Sequence, residues 1–142
     1  MQLNGIAHFQ LTVSDMERSR AFYAPLLELF EMQTLIDSET YFYCIGSRTG
    51  IAISPIDEKH GGDTFDQRRV GLHHLCFRAR EREHIDEIFA FVEALGARIV
   101  HPPREDGFAP GYYSLLFEDP DGIRIEVNYV PGRGHLSAEK SA

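Results

Sequence analysis

An internal repeat constrains this chain more than any other feature of its sequence. Gly5-Ile6-Ala7-His8-Phe9-Gln10-Leu11-Thr12-Val13 lies over Gly71-Leu72-His73-His74-Leu75-Cys76-Phe77-Arg78-Ala79 without a gap, at an offset of 66 residues that carries His8 to His74. Further along, Gly50-Ile51-Ala52-Ile53-Ser54 lies over Gly122-Ile123-Arg124-Ile125-Glu126 at an offset of 72, which sets Ser54 opposite Glu126. Two matched segments in the same order point to duplication rather than to the general likeness of strands. The additional residues of the second copy fall in the Pro- and Gly-rich stretch 101–111. The expected organisation is a single domain of two modules, about 1–66 and 67–130, with a flexible tail over 131–142.

Each module has the same expected layout. Residues 6–13 alternate with the period of a half-buried strand. Ser14, with Glu17 three residues on, signals the start of a helix running to about Tyr23, and Pro25 marks its end or a kink. Extended runs follow at 32–36, 41–45 and 51–54. In the second module the strand is 71–79 and the helix 80–95, with Gly96 at a C-terminal cap position. Strands recur at 98–100, 112–117 and 123–130, the last two joined by the turn Asp119-Pro120-Asp121-Gly122. The fold class is therefore α+β, built from two βαβββ modules.

Composition narrows the functional classes. With 142 residues, 43% hydrophobic and 25% charged, the chain can bury a core without staples. A formal charge of −8 and no basic block argue against nucleic acid and anionic membrane surfaces as partners. No apolar run approaches the ~20 residues that span a bilayer. The first residues lack a secretory signal, and Cys44 and Cys76 have no metal-binding or disulfide spacing. The expectation is a soluble, single-domain, cytoplasmic protein.

Strand parity converts sequence into geometry. Phe9, Leu11 and Val13 share an apolar face, and His8, Gln10 and Thr12 take the opposite, polar one. In the second module His73, Leu75 and Phe77 fall on the apolar side, His74, Cys76 and Arg78 on the polar side. In the last strand Ile123, Ile125 and Val127 go to the core and Arg124, Glu126 and Asn128 to the polar face. Alternation thus selects His8, His74 and Glu126 as candidate ligands of one divalent metal ion. Two imidazoles and a carboxylate suit Fe, Mn, Zn, Ni or Co and leave positions open for substrate. A single strand histidine beside a carboxylate is more often a surface group; recurrence at equivalent repeat positions favours the metal. Gln10, Thr12, Ser54, Cys76, Tyr112, Ser114 and Arg124 share this parity or border it and are candidate substrate-binding residues. The stretch 102–111, with glycine hinges and Phe108, is a candidate lid.

The opening strand with His8, the stretch 15–27 with Phe22-Tyr23, the strand with His74, and Phe117-Glu118-Asp119-Pro120-Asp121-Gly122-Ile123-Arg124-Ile125-Glu126 together resemble the vicinal oxygen chelate superfamily, also called the glyoxalase, bleomycin-resistance and extradiol-dioxygenase superfamily. The resemblance implies paired βαβββ modules forming an open cup around a divalent metal, commonly in a homodimer. It also implies chelation of adjacent substrate oxygens or stabilisation of an oxyanion. Departures bear on the reaction. Ser54 stands where a glyoxalase of this family has a fourth ligand, and Leu116 stands where ring-cleaving dioxygenases and fosfomycin-type thiol transferases have a tyrosine, ten residues before the ligand glutamate. The favoured expectation is a glyoxalase-like lyase or isomerase acting on a small oxygen-rich molecule, with Glu126 or metal-bound hydroxide as catalytic base. The alternatives are an extradiol-type dioxygenase, a thiol transferase of the fosfomycin-resistance kind, or a metal-free drug-binding protein of the bleomycin-resistance kind.

Overall fold

The computed structural model describes residues 1–46 and 48–132. Most of the expected tail, from residue 133 on, therefore lies outside the described residues. The chain forms two units, Met1–Thr64 and the part that begins at Phe65. Each has the layout βαβββ, and each carries one four-stranded mixed sheet.

In the first unit β1 (His8–Val13) leads into α1 (Met16–Leu29), followed by β2 (Gln33–Asp37), β3 (Phe42–Gly46) and β4 (Thr49–Pro55). The sheet order is β1-β4-β3-β2, with β1 parallel to β4 and the other pairs antiparallel. Leu11, Val13, Phe42, Cys44, Ile51 and Ile53 are buried on one face, as are Phe22, Tyr23, Leu26 and Leu27 of α1. The helix starts one residue later than the Ser14 signal: Asp15 is the N-cap, and its carboxylate accepts from the Arg18 backbone N–H at 2.9 Å. Nor does Pro25 end it. The apolar stripe continues through Leu26 and Leu27, both buried, and their packing outweighs the hydrogen bond that proline removes. A short 3-10 turn, Glu58–His60, follows β4.

The second unit runs β5 (Leu75–Arg78), α2 (Glu83–Ala94), β6 (Arg98–Glu105), β7 (Tyr113–Glu118) and β8 (Arg124–Tyr129), in the order β5-β8-β7-β6. Ile85, Ile88 and Val92 of α2 are buried, as are Leu75, Leu115, Phe117, Ile125 and Val127 of the strands; α2 packs on β6, β7 and β8. The expected alternation of Ile123, Ile125 and Val127 toward the core holds, at 4%, 0% and 1% exposure. Residues 101–105, expected to be loop, instead extend β6 along β7, with His101 opposite Leu116 and Glu105 opposite Tyr113. Pro102 and Pro103 are tolerated because β6 is an edge strand, and the register shifts on either side of His101 absorb them.

Candidate metal and substrate site

Each unit presents one polar sheet face, built by the same strand positions. On the first, parallel pairing sets His8 beside Gly50, Gln10 beside Ala52 and Thr12 beside Ser54. The Gln10 side-chain amide donates to Ser54 Oγ at 3.0 Å, so these two candidates meet directly. His8 is exposed, and its ring stands edge-on to Tyr43, with centroids 6.3 Å apart and planes at 77°. Gly50 makes that approach possible. A Cβ there would sit 2.5 Å from Tyr43 Cε2, so only glycine leaves room for the ring across the strand. Tyr43 was not singled out from the sequence. Its position opposite Ala52 in the β3–β4 hairpin, and hence on the His8 face, is the signal that could have found it.

On the second unit, pairing sets Cys76 beside Glu126 and Arg78 beside Asn128, with Leu116 and Ser114 opposite the same two residues of β8. His74 immediately precedes β5, and its Nε2 lies 3.2 Å from Glu126 Oε2. Its other ring nitrogen, Nδ1, is 2.8 Å from His73 Nδ1, so one imidazole donates and the other accepts. The second carboxylate oxygen, Glu126 Oε1, accepts from the Tyr112 hydroxyl. The Asn128 amide donates to that phenol oxygen at 2.9 Å, and Arg78 Nε donates to Asn128 Oδ1 at 2.8 Å. Ser114 is buried on the same face. Arg124 is half-buried, and Glu118 holds its guanidinium at 3.4 Å while also binding Arg98 at 3.1 Å.

Tyr112 owes its place to Gly111, whose φ of +71° is unfavourable for side-chain-bearing residues and whose Cβ, if present, would lie 2.7 Å from Pro131 Cγ. The turn thereby brings the phenol under Phe108, ring centroids 5.5 Å apart, and only 106–111 of the expected lid remains as loop. Withdrawal from solvent and the Glu126 hydrogen bond hold the Tyr112 hydroxyl well above the usual tyrosine range. Desolvation, then the Glu126 charge, pushes the Cys76 thiol up to about 12, against the pull of Arg78.

The pairing registers also correct one equivalence read from the repeat. Gln10 and Cys76 each lie two residues past the repeated histidine, and Gln10 faces Ala52 where Cys76 faces Glu126. Ala52, two residues before Ser54, is thus the counterpart of Glu126. Neither side chain carries a carboxylate, so the first unit offers no second glutamate at that position. Leu116 does stand opposite Glu126, yet a hydroxyl reaches the carboxylate all the same, from Tyr112.

Imidazole Nε2 and carboxylate Oε2 at 3.2 Å form a donor set that suits a borderline divalent ion. Among the described residues no three His, Cys, Asp or Glu side chains gather as a metal group. No helix among them is long and apolar enough to cross a membrane.

Comparison with known proteins accords with the fold of two βαβββ units. The chain is 30% identical over 122 residues to YqjT, an uncharacterized protein of Bacillus subtilis, which covers 84% of this chain and 94% of that one. It is 28% identical over 129 residues to the metallothiol transferase FosB of Shouchella clausii, with coverage of 89% and 80%. Among solved structures, a glyoxylase/bleomycin resistance protein/dioxygenase domain from Frankia sp. EAN1pec is similar with a TM-score of 0.72 and 27% identity, covering 90% of this chain and 98% of that one. The family model for the Glyoxalase/Bleomycin resistance protein/Dioxygenase superfamily matches residues 5–127, and the chain belongs to that superfamily.

Proposed function

We propose that this protein is a divalent-metal-dependent enzyme acting on a small, oxygen-rich substrate, with His8, His74 and Glu126 as metal ligands. The observation that carries the reading is the His74 Nε2–Glu126 Oε2 pair, 3.2 Å apart on a polar sheet face. The place of His8 as third ligand is supported by its repeat relation to His74. A bound divalent ion would act as a Lewis acid, offsetting negative charge that develops on a substrate oxygen. The chain's own residues would do the rest. Glu126 would hold or take a proton at Oε2, Cys76 and Ser114 would line the second unit's face, and Gln10, Thr12, Ser54 and Tyr43 would line the first. Arg124, with its guanidinium engaged by Glu118, would serve the rim more than the substrate. A glyoxalase-like lyase or isomerase step, in a cytoplasmic homodimer built from single-domain chains, is the reading we favour.

A thiol-transfer reaction is the second reading, supported by the 28% identity to a metallothiol transferase and by a hydroxyl, from Tyr112, beside the ligand glutamate. The two part in one assay set. Protein loaded separately with Zn²⁺, Mn²⁺, Ni²⁺, Co²⁺ or Fe²⁺ is offered thiol adducts of 2-oxoaldehydes, a thiol with an epoxide, and catechols with O₂. Isomerisation of the adduct is the expected outcome. Consumption of the epoxide instead establishes the second reading, and O₂ uptake with catechols overturns both. Elemental analysis of protein purified without added metal, and after soaking, tests the ion itself: no uptake under either condition removes the metal-dependent reading and leaves a binding protein.

A further inference from the structure

We propose that Arg78, Asn128 and Tyr112 form a one-way hydrogen-bond relay that positions Glu126, with Tyr112 as the positioning residue that touches the carboxylate. The direction follows from which groups can donate. A guanidinium has no acceptor, so the 2.8 Å bond from Arg78 Nε requires Asn128 to turn its oxygen toward the arginine. The amide nitrogen must then face Tyr112, which it does at 2.9 Å. The phenol oxygen is thereby the acceptor, and its single hydrogen is left for Glu126 Oε1. Every donor in the series points from the cation toward the carboxylate. Asn128 and Tyr112 are 6% and 7% exposed, so neither can exchange its partner for bulk water without cost.

The consequence is geometric. With Oε1 tied to Tyr112, rotating the carboxylate would break the relay at its last bond, so Glu126 presents one oxygen, Oε2, toward His74 Nε2. His74 is tied from behind in the same manner through Nδ1 to His73. Both members of the pair are held by neighbours that do not themselves enter it, an arrangement known to tune metal ligands. The proposal rests on the metal reading above and deepens it: the glutamate binds through a single oxygen.

The test uses Co²⁺ alone, titrated into the purified full chain and followed by its visible absorption. Tyr112→Phe removes the hydrogen given to Oε1 while keeping the buried ring. Asn128→Asp keeps the bond from Arg78 but replaces the donor to the phenol with an acceptor, so the phenol hydrogen turns away from Glu126. Each variant is expected to weaken Co²⁺ binding on the order of tenfold, and the double variant to weaken it no further than either single one. Tyr112→Phe binding like wild type, or the double variant losing the product of the two effects, would overturn the relay. Should wild-type protein bind no Co²⁺, the metal reading fails by itself. The relay is then decided by proton NMR of the metal-free chain: a protected Tyr112 hydroxyl resonance, shifted by Asn128→Asp, sustains it, and a freely exchanging one refutes it.

Discussion

Cys44 is 1% exposed in the core of the first unit, and burial there holds its thiol above the ordinary value near 9, despite the opposing hydrogen bond with Thr34. In the unfolded chain the thiol ionises near that ordinary value, whereas the folded chain keeps its proton to higher pH. The folded state therefore binds more protons in this window, and stability falls as pH rises from about 9 toward the folded value. Cys44→Val, which has no proton to release, is expected to flatten this alkaline slope, which can reach at most about 1.4 kcal/mol per pH unit for one group. Urea unfolding of both proteins at pH 8, 9 and 10 measures it; parallel curves would contradict the assignment. At this same scale the candidate site was partly legible. Parity put His74, Cys76 and Arg78 on one face of their strand and Glu126 and Asn128 on one face of theirs, because a strand reverses its side chains at every step, and the β5–β8 pairing then joins the two sets. Tyr43 escaped notice because its nearness to His8 depends on the missing Cβ of Gly50, across a strand pairing that parity does not give.

Among elements, the two helices end in the same way with different residues. Gly96 follows α2 with φ of +77°, and Glu31 follows α1 with φ of +58°. In both cases the next backbone N–H returns to the last turn, Ala97 to Val92 at 3.0 Å and Met32 to Leu27 at 2.9 Å. Glutamate pays a steric penalty in this left-handed conformation that glycine does not. Glu31→Gly is expected to stabilise the first unit by about 1 kcal/mol, readable as a higher urea midpoint with an unchanged slope; a lower midpoint would show that the side chain of Glu31 is needed. The order of elements was legible from the repeat and from hydrophobic periodicity. Their ends were less so. Pro25 reads as a stop in isolation, yet buried Leu26 and Leu27 carry the helix past it; Pro102 and Pro103 read as loop, yet an edge position admits them to a strand. The counterpart of Glu126 slipped by two residues for a related reason: strand register is set by partners distant in the chain, and the aliphatic alternation fits at either spacing, so the coincidence of Gly50 with Gly122 drew the repeat to the shorter one.

For the whole molecule, the metal reading makes a thermodynamic demand. A ligand that binds only the folded state stabilises it by about 2.7 kcal/mol at a hundredfold excess over its Kd. Zn²⁺ or Co²⁺ at that excess is therefore expected to raise the Tm of the wild-type chain by several degrees in a calorimetric scan. His74→Ala should lose the shift while keeping the metal-free Tm close to wild type, since His74 is exposed and contributes nothing to the buried core. A shift that survives in His74→Ala would place the ion elsewhere. Near-identical domain plans also carry a hazard, because every open sheet has two margins where a foreign chain can add itself. One margin of the second unit is β6, where two successive imino acids, Pro102 and Pro103, offer no amide hydrogens and register shifts on either side of His101 disturb the ladder. That stretch of border is poorly suited to templated fibril growth, so an added strand is expected to pair more readily along a different one.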